Sequence, residues 1–463
     1  MDKTYLYQAV EEKAPIITDV SDKIWEYAEL SMMEIKSAAE YISVLKAEGF
    51  TVQENLCGIA TAFSGSFGSG KPVIGFLGEF DALSGLSQVP GISHPQPLVD
   101  GGCGHGCGHN LLGAGALGAA IAVKKAIEAG HLQGTVVFYG CPGEEGCAGK
   151  TFMARDGMFR DLDAALTWHP GDTNEITIGS NAASIQMEYH FAGNAAHAAD
   201  DPWNGRSALD AAELMNVGVQ FLREHMKPKE SVHYSFTDAG GVSPNVVQPT
   251  ATLVYMIRSE SVRTAKLLAQ RVDDIAKGAA LMTSTKESHV FIKACSNLVH
   301  NTVLRKILHE KLVEIGSPEM DAQDMQTARQ FSETALQGMP QVDPENPIWD
   351  DIWAYTEDEV QGYSSTDVGD VSWVCPTAQI LTATFARGTP PHTWQMVAQG
   401  KLPQAHKMTR YAAKVMAASA VELMARPELL AQAQAEFRQR VGEGYDAPIP
   451  KDVMPKAMDS FKK

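Results

Sequence analysis

Short apolar stretches that alternate with helical segments are the feature that most limits the possible folds of this chain. Residues 73–77, 135–139 and 164–168 each have the length and the apolar character of a buried strand. An alanine-rich helical stretch, 111–129, separates the first two. Strands that alternate with helices form parallel sheets covered by those helices. The pattern therefore predicts an α/β domain with a mainly parallel sheet, to which 378–385 adds a further strand.

A different order of elements begins at residue 183. It is strand, helix, strand, strand, helix, strand, the βαββαβ order of a ferredoxin-like unit. A chain of 463 residues is also too long for one ordinary domain of roughly 100 to 200 residues. We therefore expect residues 183–298 to be a domain inserted into a larger one, formed by 1–182 and 299–463. The segments of the inserted domain are 184–191, 204–225, 232–238, 250–258, 260–281 and 287–293.

Three further segments of the larger domain have predicted structures. Residues 22–49 have helical periodicity and are expected to be helical. Asn110 is a favourable N-cap for the helix 111–129, and Gly130 is a natural end, because glycine adopts the C-cap conformation easily. We assign no regular structure to 316–362, whose proline and acidic residues are typical of a covering loop.

The charge of the chain argues against two classes of partner. Its 38 lysines and arginines are outnumbered by 56 aspartates and glutamates, which gives a formal net charge of -18. Nucleic-acid backbones and anionic membranes are repelled on average by such a protein. The N-terminal segment has no apolar signal region, and no run of about 18 apolar residues occurs. We therefore expect a cytoplasmic protein that binds neither nucleic acid nor membrane.

Cysteine and histidine recur in the glycine-rich segment G-G-C-G-H-G-C-G-H-N, residues 101–110. Both side chains are ligands that suit Zn²⁺ and similar ions, and glycine allows the loop to fold tightly. Cys103, His105, Cys107 and His109 are all candidates on this pattern. A flexible loop without bound metal is the simpler alternative, so the segment by itself is suggestive and no more.

Four more side chains follow predicted strands, at the ends where ligands bind in such sheets. They are Glu144 and Glu145, His169, and His392. In an adjacent acidic pair, one carboxylate can bind a metal while the other accepts a proton from metal-bound water. An acidic pair or a lone histidine is usually solvated or structural. Groups at the ends of different strands are, however, what a metal cluster at the edge of a sheet requires.

Seven motifs occur in an order that resembles the M20 metallopeptidases, and most closely their amidohydrolase branch. They are G-E-F-D-A-L, C-G-H-N, P-G-E-E-G, W-H-P, A-A-H-A-A, G-G-V-S-P-N and G-T-P-P-H-T. The likeness covers nearly the whole chain, and the inserted domain falls where that family has its lid domain. The resemblance implies two divalent metal ions per subunit, Zn²⁺ or Mn²⁺. It implies that Cys107 bridges them and that the remaining ligands are His109, Glu145, His169 and His392.

The resemblance also implies roles in catalysis and substrate binding. Glu144 would be the general base, and His197 would polarise the scissile carbonyl from a neighbouring subunit. Asn245 and Arg258 would hold the substrate carboxylate. The implied reaction is hydrolysis of the amide of a small N-acyl amino acid, such as p-aminobenzoyl-glutamate. The implied assembly is a homodimer through the lid domain, or a heteromer with a homologous subunit.

Some positions depart from the family pattern or leave alternatives open. Asn110 stands where many members of the branch have aspartate, and Glu79 stands where the peptidase branch has a metal-binding histidine. We therefore expect Glu79 and Asp81 to support the ligands from outside the metal site. Cys103 with His105 remains an alternative ligand pair. Two acids in S-S-T-D-V-G-D-V-S resemble another family segment near the site and have no assigned role, Asp367 and Asp370.

Three other functions are compatible with the same motifs. One is a non-catalytic or partner-dependent subunit of a heteromeric hydrolase, although a decayed site would have lost some of Glu144 and the ligands. Another is a dipeptidase or carboxypeptidase of the same family. The third is a thiol hydrolase that uses Cys107 and His109, whose turnover would be insensitive to chelators.

Overall fold

The computed structural model describes residues 4–335, 343 and 345–458, and it has a mixed α/β fold. Residues 336–342 and 344, which belong to the segment 316–362, lie outside the described residues. The described part of that segment contains a helix, Ala322–Ser332, and a short strand, Val360–Gln361, so the absence of an assigned regular structure is corrected there. The helices are α1 (Thr4–Glu12), α2 (Ala14–Tyr27), α3 (Ile35–Ala47), α4 (His109–Glu128), α5 (Gly149–Arg155), α6 (Ala208–Arg223), α7 (Val262–Thr283), α8 (Thr302–Ile315), α9 (Ala322–Ser332), α10 (Val368–Ser372), α11 (Trp394–Gln399), α12 (Pro403–Ala425) and α13 (Pro427–Val441). The strands are β1 (Thr51–Glu54), β2 (Phe63–Ser69), β3 (Val73–Glu79), β4 (Gly134–Cys141), β5 (Ala164–Gly171), β6 (Glu175–Ile176), β7 (Gly179–Ser180), β8 (Ala183–Ala192), β9 (Ser231–Asp238), β10 (Thr250–Ser259), β11 (Lys286–Cys295), β12 (Val360–Gln361) and β13 (Thr377–Ala383).

The larger sheet has the strand order β1-β2-β4-β3-β5-β13-β6. Its central strands β4, β3, β5 and β13 pair in parallel, whereas the pairs toward both edges are antiparallel. The prediction of a mainly parallel sheet is therefore correct for the centre and wrong for the edges. A short connection, such as that between β1 and β2, favours an antiparallel pair because parallel strands need a crossover of a dozen or more residues.

The central strands are apolar on both faces because helices cover both faces of the sheet. Phe76 and Phe138 pack with residues of α4 and α12 in one apolar cluster. Their neighbours Leu77 and Tyr139 point to the other face and pack with residues of α5 in a second cluster. The apolar runs that predicted these strands are thus explained by burial on both sides.

Helix α4 lies at the centre of the first cluster. By length and composition it could cross a membrane. However, 89% of its apolar 18-residue stretch is buried inside the protein, as in the core helix of a globular protein. Gly115 allows close packing on β5, because a Cβ at that position would lie 2.7 Å from Nε1 of Trp168. The ring of His109, at the start of α4, lies edge-on to that of His169 with 5.8 Å between centroids. The packing of α4 therefore brings two predicted ligands together.

The second sheet has the order β11-β8-β10-β9, and its strand pairs are antiparallel. Residues 183–295, which comprise this sheet with α6 and α7, are called the small domain below; their elements follow one another in the order βαββαβ. Tyr255 and Ile257 of β10 belong to the apolar cluster that includes α6 and α7. Met256 and Arg258 alternate with them and lie on the opposite side of the sheet, which we call the open face.

The segment 22–49 is interrupted, so the prediction that it is helical throughout is wrong. Helix α2 ends at Tyr27, and Ala28 has the left-handed conformation with φ of 41°. Helix α3 begins only at Ile35. The interruption carries Ser31 toward the loop after β4, where its Oγ accepts a hydrogen bond from the backbone N–H of Gly146 at 2.9 Å.

The N-cap of α4 also differs from the prediction. The helix begins at His109, and its N-cap is Gly108, which has a φ of 73°. Glycine is suited to that backbone conformation because it has no Cβ. Asn110 lies inside the helix and donates hydrogen bonds to Ser21 Oγ and to the carbonyl oxygen of Gly400, both at 3.0 Å.

Candidate metal centre

The predicted ligands meet at the edge of the large sheet where its parallel strands end. Strand β5 carries His169, the loop after β4 carries Glu145, and the loop after β13 carries His392. The glycine-rich segment supplies Cys107 just before α4 and His109 at its first residue. Parallel strands all point to the same edge, so residues distant in sequence converge there.

Two groups of potential ligands share Cys107. Ligand atoms of Cys107, His109 and His169 lie within 4.8 Å of one another, and so do those of Cys107, Glu145 and His392. Cys107 Sγ is 3.4 Å from His169 Nε2. His392 Nε2 is 3.5 Å from Glu145 Oε1. The arrangement has the form of two adjacent metal sites with the thiol between them.

Two buried atoms at this centre make no hydrogen bond and have only an ion-pair contact each: His109 Nε2 lies 3.2 Å from Glu79 Oε2, and Glu145 Oε1 lies 3.5 Å from His392 Nε2. A buried polar atom without a partner costs about 1 to 3 kcal/mol, so such atoms are rare unless something else satisfies them. His109 Nε2 belongs to the group with His169, and Glu145 Oε1 belongs to the group with His392. Nitrogen, oxygen and sulfur donors at this separation suit Zn²⁺ and related divalent ions. The residues present therefore fit a pair of divalent metal ions.

Glu144 lies beside this centre but outside both groups that contain Cys107. A third group of close ligand atoms comprises Glu79, His109 and Glu144. Burial raises the pKa of Glu144 well above its ordinary value, and the negative charges of Glu79 and Glu145 raise it further. The two adjacent acids therefore point to different partners, Glu145 toward His392 and Glu144 toward Glu79. Glu144 is placed to hold or accept a proton.

Asp81 orients the candidate ligand His109 by contacting the ring nitrogen that does not face the metal centre. Its Oδ1 is 3.0 Å from His109 Nδ1, which leaves Nε2 of the ring directed at the centre. Its Oδ2 accepts hydrogen bonds from Ser31 Oγ at 2.6 Å and from the backbone N–H of Glu145 at 3.0 Å. Burial opposes ionisation, but the contacts with His109 and Ser31 outweigh it and lower the pKa of Asp81 to about 2. A carboxylate in this position is typical of metal-binding histidines.

The alternative ligand pair in the glycine-rich loop lies elsewhere. His105 is buried, and its Nε2 is 3.0 Å from the carbonyl oxygen of Ile24. Burial lowers the pKa of His105 to about 4. Cys103 lines a separate cavity together with Trp25 and Tyr27. Within the described part of the chain, neither residue belongs to a group of close ligand atoms.

A buried lysine that the sequence reasoning missed joins the centre to Asp367. Lys150 Nζ lies 2.8 Å from Glu79 Oε1 and 2.5 Å from Asp367 Oδ1, and all three side chains are buried. Burial alone would raise the pKa of Glu79, but Lys150 and then His109 lower it. A signal was present in the sequence, because Lys150 stands in the otherwise uncharged run A-G-K-T-F-M-A at 148–154.

Asp370, the other acid without an assigned role, lies in the same buried region. It accepts hydrogen bonds from Thr151 Oγ1 at 2.7 Å, from Ser296 Oγ at 2.6 Å and from the Tyr445 hydroxyl at 2.8 Å. Burial raises the pKa of Asp370 to about 6 despite these donors. Its contacts join α5, the end of the small domain and the C-terminal segment, so they indicate a structural role.

The three predicted site residues of the small domain do not lie together; they are the predicted catalytic residue His197 and the predicted substrate-binding residues Asn245 and Arg258. His197 and Asn245 are on adjacent loops, where the Ala198 N–H donates to the Asn245 carbonyl oxygen at 3.0 Å. These loops adjoin the end of β10 that begins with Thr250, whereas Arg258 is at the other end. Because β10 has 10 residues, its ends are roughly 30 Å apart at about 3.3 Å per residue. Arg258 pairs with Ser184, next to the point where the chain enters the small domain from the larger one, and the other two residues are at the far end of the sheet.

The family match and the hydrolase relatives support a hydrolase of peptide or amide bonds, a class with which the metal-capable centre and the α/β fold agree. Residues 75–443 match the model of peptidase family M20/M25/M40, so the chain belongs to that family. This confirms the resemblance noted in the sequence, and family membership implies metal ions. The chain is 44% identical, over 97% of its length and 98% of the relative's, to one of the subunits of p-aminobenzoyl-glutamate hydrolase from Escherichia coli K12.

Two further relatives bear on assembly and fold. A second subunit of p-aminobenzoyl-glutamate hydrolase, from the same bacterium, is 31% identical over 48% of this chain and 54% of its own. A dinuclear metal-binding M20 peptidase from Bacillus subtilis superposes with a TM-score of 0.57 at 16% identity, over 90% of this chain and 99% of its own. That likeness concerns the fold alone.

Proposed function

We propose that this protein is a two-metal amidohydrolase that cleaves the amide of an N-acyl amino acid, such as p-aminobenzoyl-glutamate. The observation that carries the proposal is the pair of ligand groups that share Cys107, with Glu144 beside them and outside both. The substrate is taken from the name of the 44% identical relative. Zn²⁺ and Mn²⁺ are the ions we propose, because the donors are imidazole, thiolate and carboxylate.

The chain's own residues account for the proton transfers of the reaction. Bound divalent ions would lower the pKa of water and polarise the scissile carbonyl. Glu144 takes a proton from the attacking water and returns it to the amide nitrogen as the bond to carbon breaks. Its raised pKa suits an acid that must hold this proton between the two steps. Asp81 keeps His109 in the orientation that binds metal.

Arg258 is proposed to bind the carboxylate of the amino-acid half of the substrate. It lies on the open face of the small domain, next to the point where the chain enters that domain from the larger one, and its buried Nε has no hydrogen-bond partner. A guanidinium group is well suited to a carboxylate because it can donate two parallel hydrogen bonds. An unpaired buried donor gains most from such a ligand.

His197 and Asn245 are proposed to act on a neighbouring subunit. They lie at the end of the small domain away from Arg258, and half of the His197 side chain is exposed. The proposed assembly is a symmetric dimer through the small domain in which that end of one subunit would reach the centre of the other. The neighbour is a second copy of this chain or a homologous protein, since the two Escherichia coli relatives are both named as subunits of one hydrolase.

We also propose a cytoplasmic location, where Cys107 stays reduced and available to a metal.

The thiol-hydrolase alternative is disfavoured by the environment of Cys107. Burial raises the pKa of this thiol, and the negative charge of Glu145 raises it further. A nucleophilic cysteine needs the opposite, a lowered pKa that supplies thiolate near neutral pH. A thiol in these surroundings is better suited to lose its proton to a bound cation.

A substrate screen with the purified full chain tests the proposal. The substrates are p-aminobenzoyl-glutamate, other aromatic N-acyl amino acids, acetyl amino acids and dipeptides, each assayed with added Mn²⁺ or Zn²⁺ and with a chelator. We expect turnover of aromatic N-acyl amino acids that the chelator abolishes and added metal restores. Turnover that resists chelation but stops on thiol alkylation contradicts the proposal. Turnover that appears only after a homologous partner protein is added assigns the chain to a heteromer.

A further inference from the structure

A bulge in β11 decides which face of the small-domain sheet carries Lys293. Phe291 pairs with Met187 of β8, and Lys293 pairs with Gln186, so Ile292 is an extra residue between them. In a regular strand, positions 291 and 293 would face the same side of the sheet, because side chains alternate. The bulge instead moves Lys293 to the open face.

From the open face, Lys293 reaches the larger domain. Its Nζ donates a hydrogen bond to the backbone carbonyl oxygen of Glu145 at 2.5 Å, although the two residues are 148 positions apart. The backbone N–H of Glu145 is held within the larger domain, by Asp81 Oδ2 at 3.0 Å. The backbone of this one candidate ligand is therefore held by both domains.

The rest of the loop is attached to the larger domain. The N–H of Gly143 donates to Glu34 Oε1 and that of Gly146 donates to Ser31 Oγ, both at 2.9 Å. The carbonyl of Glu145 is where the small domain joins this network. A hydrogen bond from an ammonium group is stronger than one between neutral groups, so it resists rotation of the peptide.

We propose that Lys293 is a positioning residue that couples the position of the small domain to the metal centre. Its bond keeps the backbone of Glu145 in the orientation that directs the carboxylate at Cys107 and His392. The bond forms only while the small domain stands against this loop. A displacement of the small domain from this loop would remove the partner of the carbonyl, and with it the fixed direction of the carboxylate. The inference rests on the proposed function, because that proposal makes Glu145 a metal ligand.

Metal affinity tests the proposal without any turnover. Lys293→Met removes the donor but keeps an unbranched side chain, and we expect the weaker-bound metal ion to lose about 10- to 100-fold in affinity, as when other groups that orient ligands are removed. The measurement is calorimetric titration of the metal-free full chain with Mn²⁺ or Zn²⁺. Lys286→Met is the matched control, because Lys286 is exposed on the same strand and carries the same charge. Equal affinities in Lys293→Met and wild type overturn the proposal.

Two more measurements separate positioning from a general loss of structure. Lys293→Arg keeps a cationic donor, and we expect it to recover most of the metal affinity. Hydrogen exchange of residues 142–148 should be faster in Lys293→Met, while the core helix α4 keeps its protection. Unchanged exchange in the loop overturns the coupling. If Lys293→Met does not fold, Lys293→Gln serves in both measurements. If the wild-type chain binds metal but hydrolyses no amide, the proposed function is refuted. The metal affinities and exchange rates of the variants still test the role of Lys293 in that case.

Discussion

The sulfur of Cys107 lies 3.4 Å from Nε2 of His169, although 62 positions separate the two residues in the chain. Two ligands of one tetrahedral Zn²⁺ ion, with bonds of about 2.3 Å to sulfur and about 2.1 Å to nitrogen, are roughly 3.6 Å apart. The spacing thus suits a shared ion. It arises because α4 packs on β5, which brings Cys107, two residues before the first residue of the helix, close to the end of the strand.

Glu144→Gln should keep both metal ions and lose turnover. The amide cannot accept the proton of the attacking water, and general bases contribute typically about 10² to 10⁴ in rate. We expect kcat to fall by at least about 10², measured with the best substrate of the screen, with metal content determined by mass spectrometry.

Glu145→Ala is the matched control for this variant, because it removes the adjacent carboxylate. We expect it to bind about one metal ion per chain instead of two, since Glu145 belongs to one of the two groups that share Cys107. Full occupancy of both sites in Glu145→Ala, together with metal loss in Glu144→Gln, would show that the two acids have each other's roles.

Mixing two inactive variants tests whether His197 acts on a neighbouring subunit. His197→Ala and Glu144→Ala homodimers should each be inactive, but a hybrid dimer would contain one site with both residues intact. With random exchange about half of the dimers are hybrids, so recovery approaches about one quarter of wild-type activity at most. Absence of recovery, once mass spectrometry has shown subunit exchange, would mean that His197 acts within its own chain or has no catalytic role.

Lys150→Met should destabilise the fold, because it leaves Glu79 and Asp367 buried without their cation. Breaking a buried ion pair by removing one partner costs about 3 to 5 kcal/mol. We expect a decrease of that size in the free energy of unfolding, measured by urea denaturation. The control is Lys46→Met, which removes an exposed pair with Glu54 and should cost less than about 1 kcal/mol. Equal losses in the two variants would contradict the structural importance of Lys150.

His300 should make stability depend on pH between about 4 and 6.5. Burial, and after it the positive charge of Arg305, lowers the pKa of His300 to about 4. In that range the unfolded chain takes up a proton that the folded chain refuses, so this contribution to stability is present at neutral pH and is lost as pH falls. A shift of this size corresponds to about 3 kcal/mol.

The pH prediction is checked by urea denaturation of wild type, His300→Leu and His300→Gln across that range. The stability difference between wild type and each variant should move in favour of the variant as pH falls, because neither replacement can bind the proton. A difference that stays constant with pH would show that His300 does not titrate in this way.

Much of the fold was predictable because its signals are local. The apolar runs of β3, β4 and β5 and the alanine-rich helix α4 follow from composition over short windows, and so does the βαββαβ order of the small domain. The break after Tyr27 was not predictable. It depends on one left-handed residue, Ala28, whose side chain gives no warning, and on contacts with the loop after β4.

The candidate site divides in the same way. Residue types and their places after strands indicated Cys107, His109, Glu145, His169 and His392, which the structure brings together. Lys150 and Lys293 were missed because a single lysine in a sequence is most often a solvated surface residue. Their roles come from burial beside Glu79 and from a bulge in β11, and both depend on the folded chain.

The sequence by itself determined the chemical inventory of this protein: the thiol, imidazole and carboxylate groups, the glycines around them and the strands that present them. These depend on residue type and local order, which are written in the chain. Only the tertiary structure decided that Cys107 and not Cys103 lies at the centre, and that Arg258 lies at the opposite end of the small domain from His197. Such facts are distances between remote residues, and distances are set by how helices and sheets pack against one another.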